Sequence, residues 1–135
     1  MHNTVLNLLK ISKEVKEKFE ANTNLIKSPE IIAVSKTFGL DHILPSIQHG
    51  YIHYGENKVQ EAVQKWTEIK KENPHIKLHL IGRLQTNKVK MALKLFDYIH
   101  SLDSKKLADR ICKIQQELKI NKKLFIQVNI VNENQ

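Results

Sequence analysis

Apolar positions along the chain follow two periods that alternate. Five short runs, rich in β-branched and other apolar residues, read as strands: Ile31–Val34, Tyr51–Tyr54, Leu78–Ile81, Tyr98–Ser101 and Leu124–Ile130. Between them the spacing becomes helical. Val59, Ala62, Val63, Trp66 and Ile69 share one face, as do Leu107, Ile111, Ile114 and Leu118. A leading helix carries Val5, Leu8, Leu9, Val15 and Phe19, and another helical pattern starts just after Gly39. Start signals agree with these segments. Asn57 is followed three residues on by Gln60, Ser104 precedes the last helical segment, and Asn87 and Lys88 open the one before it. The strand starts lie 20, 27, 20 and 26 residues apart, with a helical segment in every gap. Strands and helices that alternate at this spacing predict βαβ units and parallel pairing. Strand order is not written in the pattern, so an open doubly wound sheet and part of a closed barrel both fit it.

Composition narrows the class. A length of 135 residues is one domain at most, and no glycine-rich linker or low-complexity stretch divides it. With 41% hydrophobic and 27% charged residues the chain is an ordinary globular one. No apolar run approaches the ~20 residues of a membrane-spanning helix, and Lys10, Lys13 and Glu14 interrupt any leader-like apolar core. The single cysteine, Cys112, cannot form an internal disulfide. It reads as a small buried apolar group, and the setting as reducing and cytoplasmic. The net charge of +8 raises a nucleic-acid reading. Aromatics are only 6% and do not interleave with the basic residues, so no stacking platform is evident and no nucleic-acid partner is expected. A basic RNA-binding α/β domain stays as an alternative, marked by salt-sensitive RNA binding.

In parallel α/β folds the chemistry gathers at the C-terminal ends of the strands. Here those ends read Ser35-Lys36-Thr37, Gly55-Glu56-Asn57, Gly82-Arg83-Leu84-Gln85, His100-Ser101-Leu102-Asp103 and Asn129. Lys36 stands out. A lysine closing the first strand is placed at a pocket mouth, where a neutral amine attacks an aldehyde to form a Schiff base; the plain reading is a solvated strand end. Asn57 reads equally as a helix N-cap and as a ligand donor. Glu56 is a candidate acid/base, but a carboxylate beside a helix start is stabilised there in any case. Lys88 reads as solvated. His53, His79 and His100 lie inside three strands. Three histidines raise a metal site, yet no His-x-His pair or carboxylate at ligand spacing supports one, and none is assigned.

Four segments together resemble one family. They are Ala33-Val34-Ser35-Lys36, His53-Tyr54-Gly55-Glu56-Asn57-Lys58-Val59-Gln60-Glu61, His79-Leu80-Ile81-Gly82-Arg83-Leu84-Gln85-Thr86-Asn87-Lys88, and Phe125-Ile126-Gln127-Val128-Asn129-Ile130. In this order, with GENxxQ and IGxLQxNK combined, they are similar to the YggS/PROSC family of pyridoxal 5′-phosphate (PLP) homeostasis proteins, over about Ile31 to Gln135. The resemblance implies a (β/α)8 barrel like the N-terminal domain of alanine racemase. It also implies PLP held as a Schiff base on Lys36, Asn57 in the pocket and His79 near the ring. Strand starts advance 93 residues over four units, so three further units would need roughly 70 more. Residues 1–135 are therefore expected to be the N-terminal part of one PLP-binding barrel domain, with about five of eight strands. The family's phosphate-binding loops lie beyond residue 135. The implied function is intracellular PLP (vitamin B6) homeostasis as a carrier or regulator, with no catalytic residue assigned. The rival is a racemase-like PLP enzyme, for which no second acid/base is evident. The full-length protein is expected to be a monomer, and a five-strand piece to self-associate.

Overall fold

The computed structural model describes residues 1–22 and 24–131. The end of the chain that the family resemblance includes, residues 132–135, lies outside the described residues. Five helices and five strands alternate as the periodicity predicts: α1 Asn3–Glu20, β1 Ala33–Val34, α2 Leu40–Gln48, β2 His53–Glu56, α3 Val59–Glu72, β3 Lys77–Leu80, α4 Val89–Leu95, β4 Tyr98–Leu102, α5 Lys105–Leu118 and β5 Lys123–Ile126. One 3-10 turn, Thr86–Lys88, leads into α4.

All strand pairs are parallel, and the sheet order is β1-β2-β3-β4-β5. That order excludes the doubly wound alternative, in which the strand order reverses partway. Each strand pairs with the next through a helical crossover. Such crossovers are right-handed, which keeps their helices on one face of the sheet. This is the wall of a (β/α)8-type barrel, about five strands wide. The core fills the space between the sheet and that helix layer. It includes Tyr54, Leu78, Leu80 and Ile99 from the strands, with Ala62, Trp66, Leu93 and Ile111 from α3, α4 and α5.

The strands differ from the apolar runs at their ends, because hydrogen-bond partners set a strand and hydrophobicity does not. Ile31 and Ile32 precede the first paired residue of β1. The run Leu124–Ile130 stops as strand at Ile126, since its neighbour β4 ends at Leu102, and Gln127 makes the last bond, donating N–H to the Leu102 carbonyl at 2.8 Å. Beyond it Val128 and Ile130 are exposed. Ser104 caps α5 as expected, its hydroxyl accepting from Leu107 N–H at 3.2 Å. Asn57 does not cap α3. Lys58 holds the N-cap position and makes no side-chain capping bond. Cys112 is exposed, contrary to expectation. It follows Ile111, and one residue turns about 100° around a helix, off the buried stripe of Leu107, Ile111 and Ile114. No helix among the described residues is long and apolar enough to cross a membrane.

Candidate functional site

Side chains of a strand alternate between two faces, and the register fixes which residues share a row. Val34, Gly55, His79 and Tyr98 are paired in series across β1 to β4. They stand on the face away from the helices. Two residues further along the chain come Lys36, Asn57 and Ile81, just past the ends of β1, β2 and β3, and His100 within β4. Lys36 and Asn57 each follow, by two residues, one member of the pair Val34 and Gly55, at the C-terminal ends of adjacent strands. Lys36 is exposed in the turn directly after β1, and Asn57 is half-buried directly after β2. His79 lies one row deeper and is almost fully buried.

Glycine makes this rim possible. A Cβ on Gly82 would stand 2.3 Å from the Asn57 carbonyl oxygen and 2.8 Å from its Cα. Both are backbone atoms that cannot swing aside, so the second motif's glycine lets the chain press directly on the first motif's asparagine. A Cβ on Gly55 would meet Ile32 at 3.0 Å and Ile81 at 3.2 Å, which places both isoleucines on the rim face.

His79 is the centre of a line of three imidazoles. His53 Nδ1 lies 3.0 Å from His79 Nε2, and His79 Nδ1 lies 2.9 Å from His100 Nε2. The His79 ring stacks on Tyr98 at 4.3 Å, and His100 stacks on Phe125 at 4.5 Å. At the lower end, His53 Nε2 is 3.6 Å from Glu30 Oε2. Burial, and then the neighbouring His100 and His53, push the His79 imidazolium pKa down to about 4. Burial also lowers His100. A neutral imidazole has one N–H and one lone pair, so the line is a chain of N–H···N bonds. His79 spends both nitrogens on different partners, and the three rings do not converge on a point. Among the described residues no group of three or more His, Cys, Asp or Glu could hold a metal ion.

On the opposite face, Glu56 is fully buried. This overturns its reading as a free acid/base. Its Oε1 accepts from Ser35 Oγ at 2.9 Å, Lys65 Nζ at 2.9 Å and Trp66 Nε1 at 2.8 Å. Lys65 Nζ also donates to the Ser35 carbonyl at 2.8 Å, and Glu61 Oε1 accepts from Thr37 N–H at 3.0 Å. The sequence reading put Trp66 on an apolar helix face and Ser35 at a strand end, gave neither a bond to Glu56, and did not single out Lys65. The available signal was Glu61 and Lys65 at i and i+4. Lys88, read as solvated, is half-buried and borders an open cleft of about 570 Å³ with Asn57, Glu61, Arg83 and Gln85. Asn129, proposed on the rim, lies past β5 and is exposed.

No protein-family model matches the chain. Individual relatives do. A pyridoxal phosphate homeostasis protein of Buchnera aphidicola is 35% identical over 133 residues, covering 98% of this chain and 58% of the relative. One from Haemophilus influenzae is 36% identical over 132 residues, covering 98% and 54%. Among solved structures, PipY of Synechococcus elongatus with PLP bound superposes with a TM-score of 0.74 at 38% identity, over 89% of this chain and 55% of that one. An unknown protein from Bifidobacterium adolescentis superposes with a TM-score of 0.79 at 26% identity, over 98% of this chain and 56% of that one. The chain spans little more than half the length of these relatives.

Proposed function

Since this chain belongs with the pyridoxal phosphate homeostasis proteins, we propose that it binds PLP through Lys36 and serves the intracellular handling of that cofactor. The observation that supports the reading is the parallel pairing of Val34 with Gly55, which Lys36 and Asn57 each follow by two residues at the C-terminal ends of adjacent strands. When bound, PLP supplies an aldehyde that condenses with a primary amine, with loss of water. The chain's own residues suit that end of the molecule. Lys36 offers an accessible amine at the C-terminal end of β1. The Asn57 amide, at the end of the adjacent strand, is able to donate to or accept from a ring substituent. His79, with both nitrogens engaged, is suited to a fixed polar floor under the rim and not to a direct ligand. The phosphate-binding segment is assigned to sequence beyond these residues, and residues 1–135 to the N-terminal part of one barrel domain. Its working place is taken as the cytoplasm.

Titration with PLP, followed by absorption in the visible near-ultraviolet, then borohydride reduction and peptide mapping, tests the assignment. The expected label is on Lys36. Label on Lys58 or Lys88 and never on Lys36 would overturn it.

A further inference from the structure

The turn that carries Lys36 is held from outside the rim. Residues on both sides of the lysine are bonded to α3, through Glu61 and Lys65, one turn apart. On one side, the Ser35 carbonyl accepts from Lys65 Nζ at 2.8 Å, and the Ser35 hydroxyl donates to buried Glu56. On the other, Thr37 N–H donates to Glu61 Oε1 at 3.0 Å. Thr37 has φ of 65°, a left-handed conformation that a β-branched residue adopts only under constraint. The unconstrained turn would relax away from it. Lys65 ties the two carboxylates together, 2.9 Å from Glu56 and 3.7 Å from Glu61, and is itself largely buried. The arrangement brackets one exposed lysine with fixed backbone on either side.

We propose that Glu61 and Lys65 are positioning residues for Lys36, locking the 35–37 turn so that its amine projects onto the Asn57 rim. This rests on Lys36 as the cofactor lysine, and it concerns how that lysine is aimed. Neither residue is assigned a contact with the cofactor. The lysine keeps its chemistry without them and loses its direction.

The test uses the whole chain with Glu61→Ala, the conservative Glu61→Gln, and Lys65→Met. Three signals are read. They are amide exchange at Thr37, the rate of reductive methylation of Lys36 by formaldehyde relative to Lys13 on α1, and the yield of borohydride-fixed PLP on Lys36. Glu61→Ala is expected to speed Thr37 exchange about tenfold, the value of one charge-assisted hydrogen bond. It should also change the Lys36:Lys13 methylation ratio by at least about threefold and lower PLP fixation similarly, because misaligned groups react more slowly. Glu61→Gln, which keeps an acceptor, should restore most of each signal. A merely structural role would alter the thermal midpoint and leave the ratio unmoved. If Glu61→Ala folds with faster Thr37 exchange while both Lys36 signals stay at the parental level, the positioning role is wrong. Glu61→Ala decides even where Lys65→Met, which strands the Glu56 carboxylate, fails to fold. The methylation ratio needs no cofactor. A parent that fixes no PLP on Lys36, with the ratio still shifted in Glu61→Ala, overturns the cofactor reading and leaves the positioning role standing.

Discussion

Two single residues make sharp demands on their surroundings. Gly82 lies where a Cβ would overlap the Asn57 backbone. Gly82→Ala must therefore push the 81–83 segment off the β2 rim, at a cost of about 1–3 kcal/mol. It should also weaken PLP uptake through displacement of Asn57. Chemical denaturation with a parallel PLP titration reads both; an alanine variant as stable as its parent would show that the segment has slack. His79 makes an electrostatic demand. Its pKa falls from an ordinary 6.5 to about 4 in the fold, chiefly by burial. The unfolded chain therefore takes up a proton as the pH drops through 6.5 while the folded chain resists. Full stability holds above about pH 6.5 and is lost progressively as pH falls toward 4. The shift bounds the loss at roughly 3 kcal/mol, less whatever water reaches the partly open face. Urea midpoints between pH 7 and pH 4 should drop for the parent and drop less for His79→Phe. Equal pH slopes would mean that His79 is not the group responsible.

Helices α3 and α5 show how an element is tied down. In α3, Trp66 is fully buried between Tyr54, at 4.9 Å between rings, and the Glu56 carboxylate. Trp66→Phe keeps most of the packing but takes one donor from Glu56. The cost expected is about 1–3 kcal/mol, that of a buried hydrogen bond broken on one side. Thermal unfolding checks this, and a loss under a few tenths would mean water replaces the indole N–H. At the end of α5, Lys119 caps in the left-handed region at φ 53°. Lysine has a Cβ that resists that conformation, whereas glycine does not. Lys119→Gly is expected to raise stability by about 0.5–1 kcal/mol without touching the rim.

At the scale of the molecule, the sheet is one-sided. Its edge strands are β1 and β5, and the residues of the β5 side are exposed: Phe125 at 51% and Ile126 at 75%. Parallel strands of a barrel ordinarily have cover on both faces and no free edge. A protein of these 135 residues should therefore run as broad oligomers in size-exclusion chromatography. Phe125→Lys with Ile126→Lys should shift it toward monomer, since edge charge opposes pairing. A sharp monomer peak for the parent would instead mark a self-sufficient sheet. Binding follows the same logic. On the proposed reading, where Lys36 serves the aldehyde and phosphate contacts come from sequence beyond residue 135, loss of two such hydrogen bonds should put PLP affinity about a hundredfold or more below that of a longer relative.

What the sequence by itself determined was local. Periodicity located every helix and strand, because the 3.6 and 2.0 repeats are properties of the backbone and need no partner. Ser104 was legible as a cap for the same reason, since the N–H that it accepts from, that of Leu107, lies three residues away. Four short segments, matched to a family, marked Lys36, Asn57 and His79. Relations across the sheet were decided only by the tertiary structure. Strand order, and with it the choice of a barrel wall over a doubly wound sheet, depends on which crossovers pack side by side. Glu56 became a buried hub, not an acid/base, because Ser35, Lys65 and Trp66 converge on it from 9 to 21 residues away. The three histidines became a single chain because register sets them on adjacent strands and one face. Spacing along the sequence holds no information about that register, which is fixed by backbone hydrogen bonds between strands and by the packing of α3, α4 and α5 behind them.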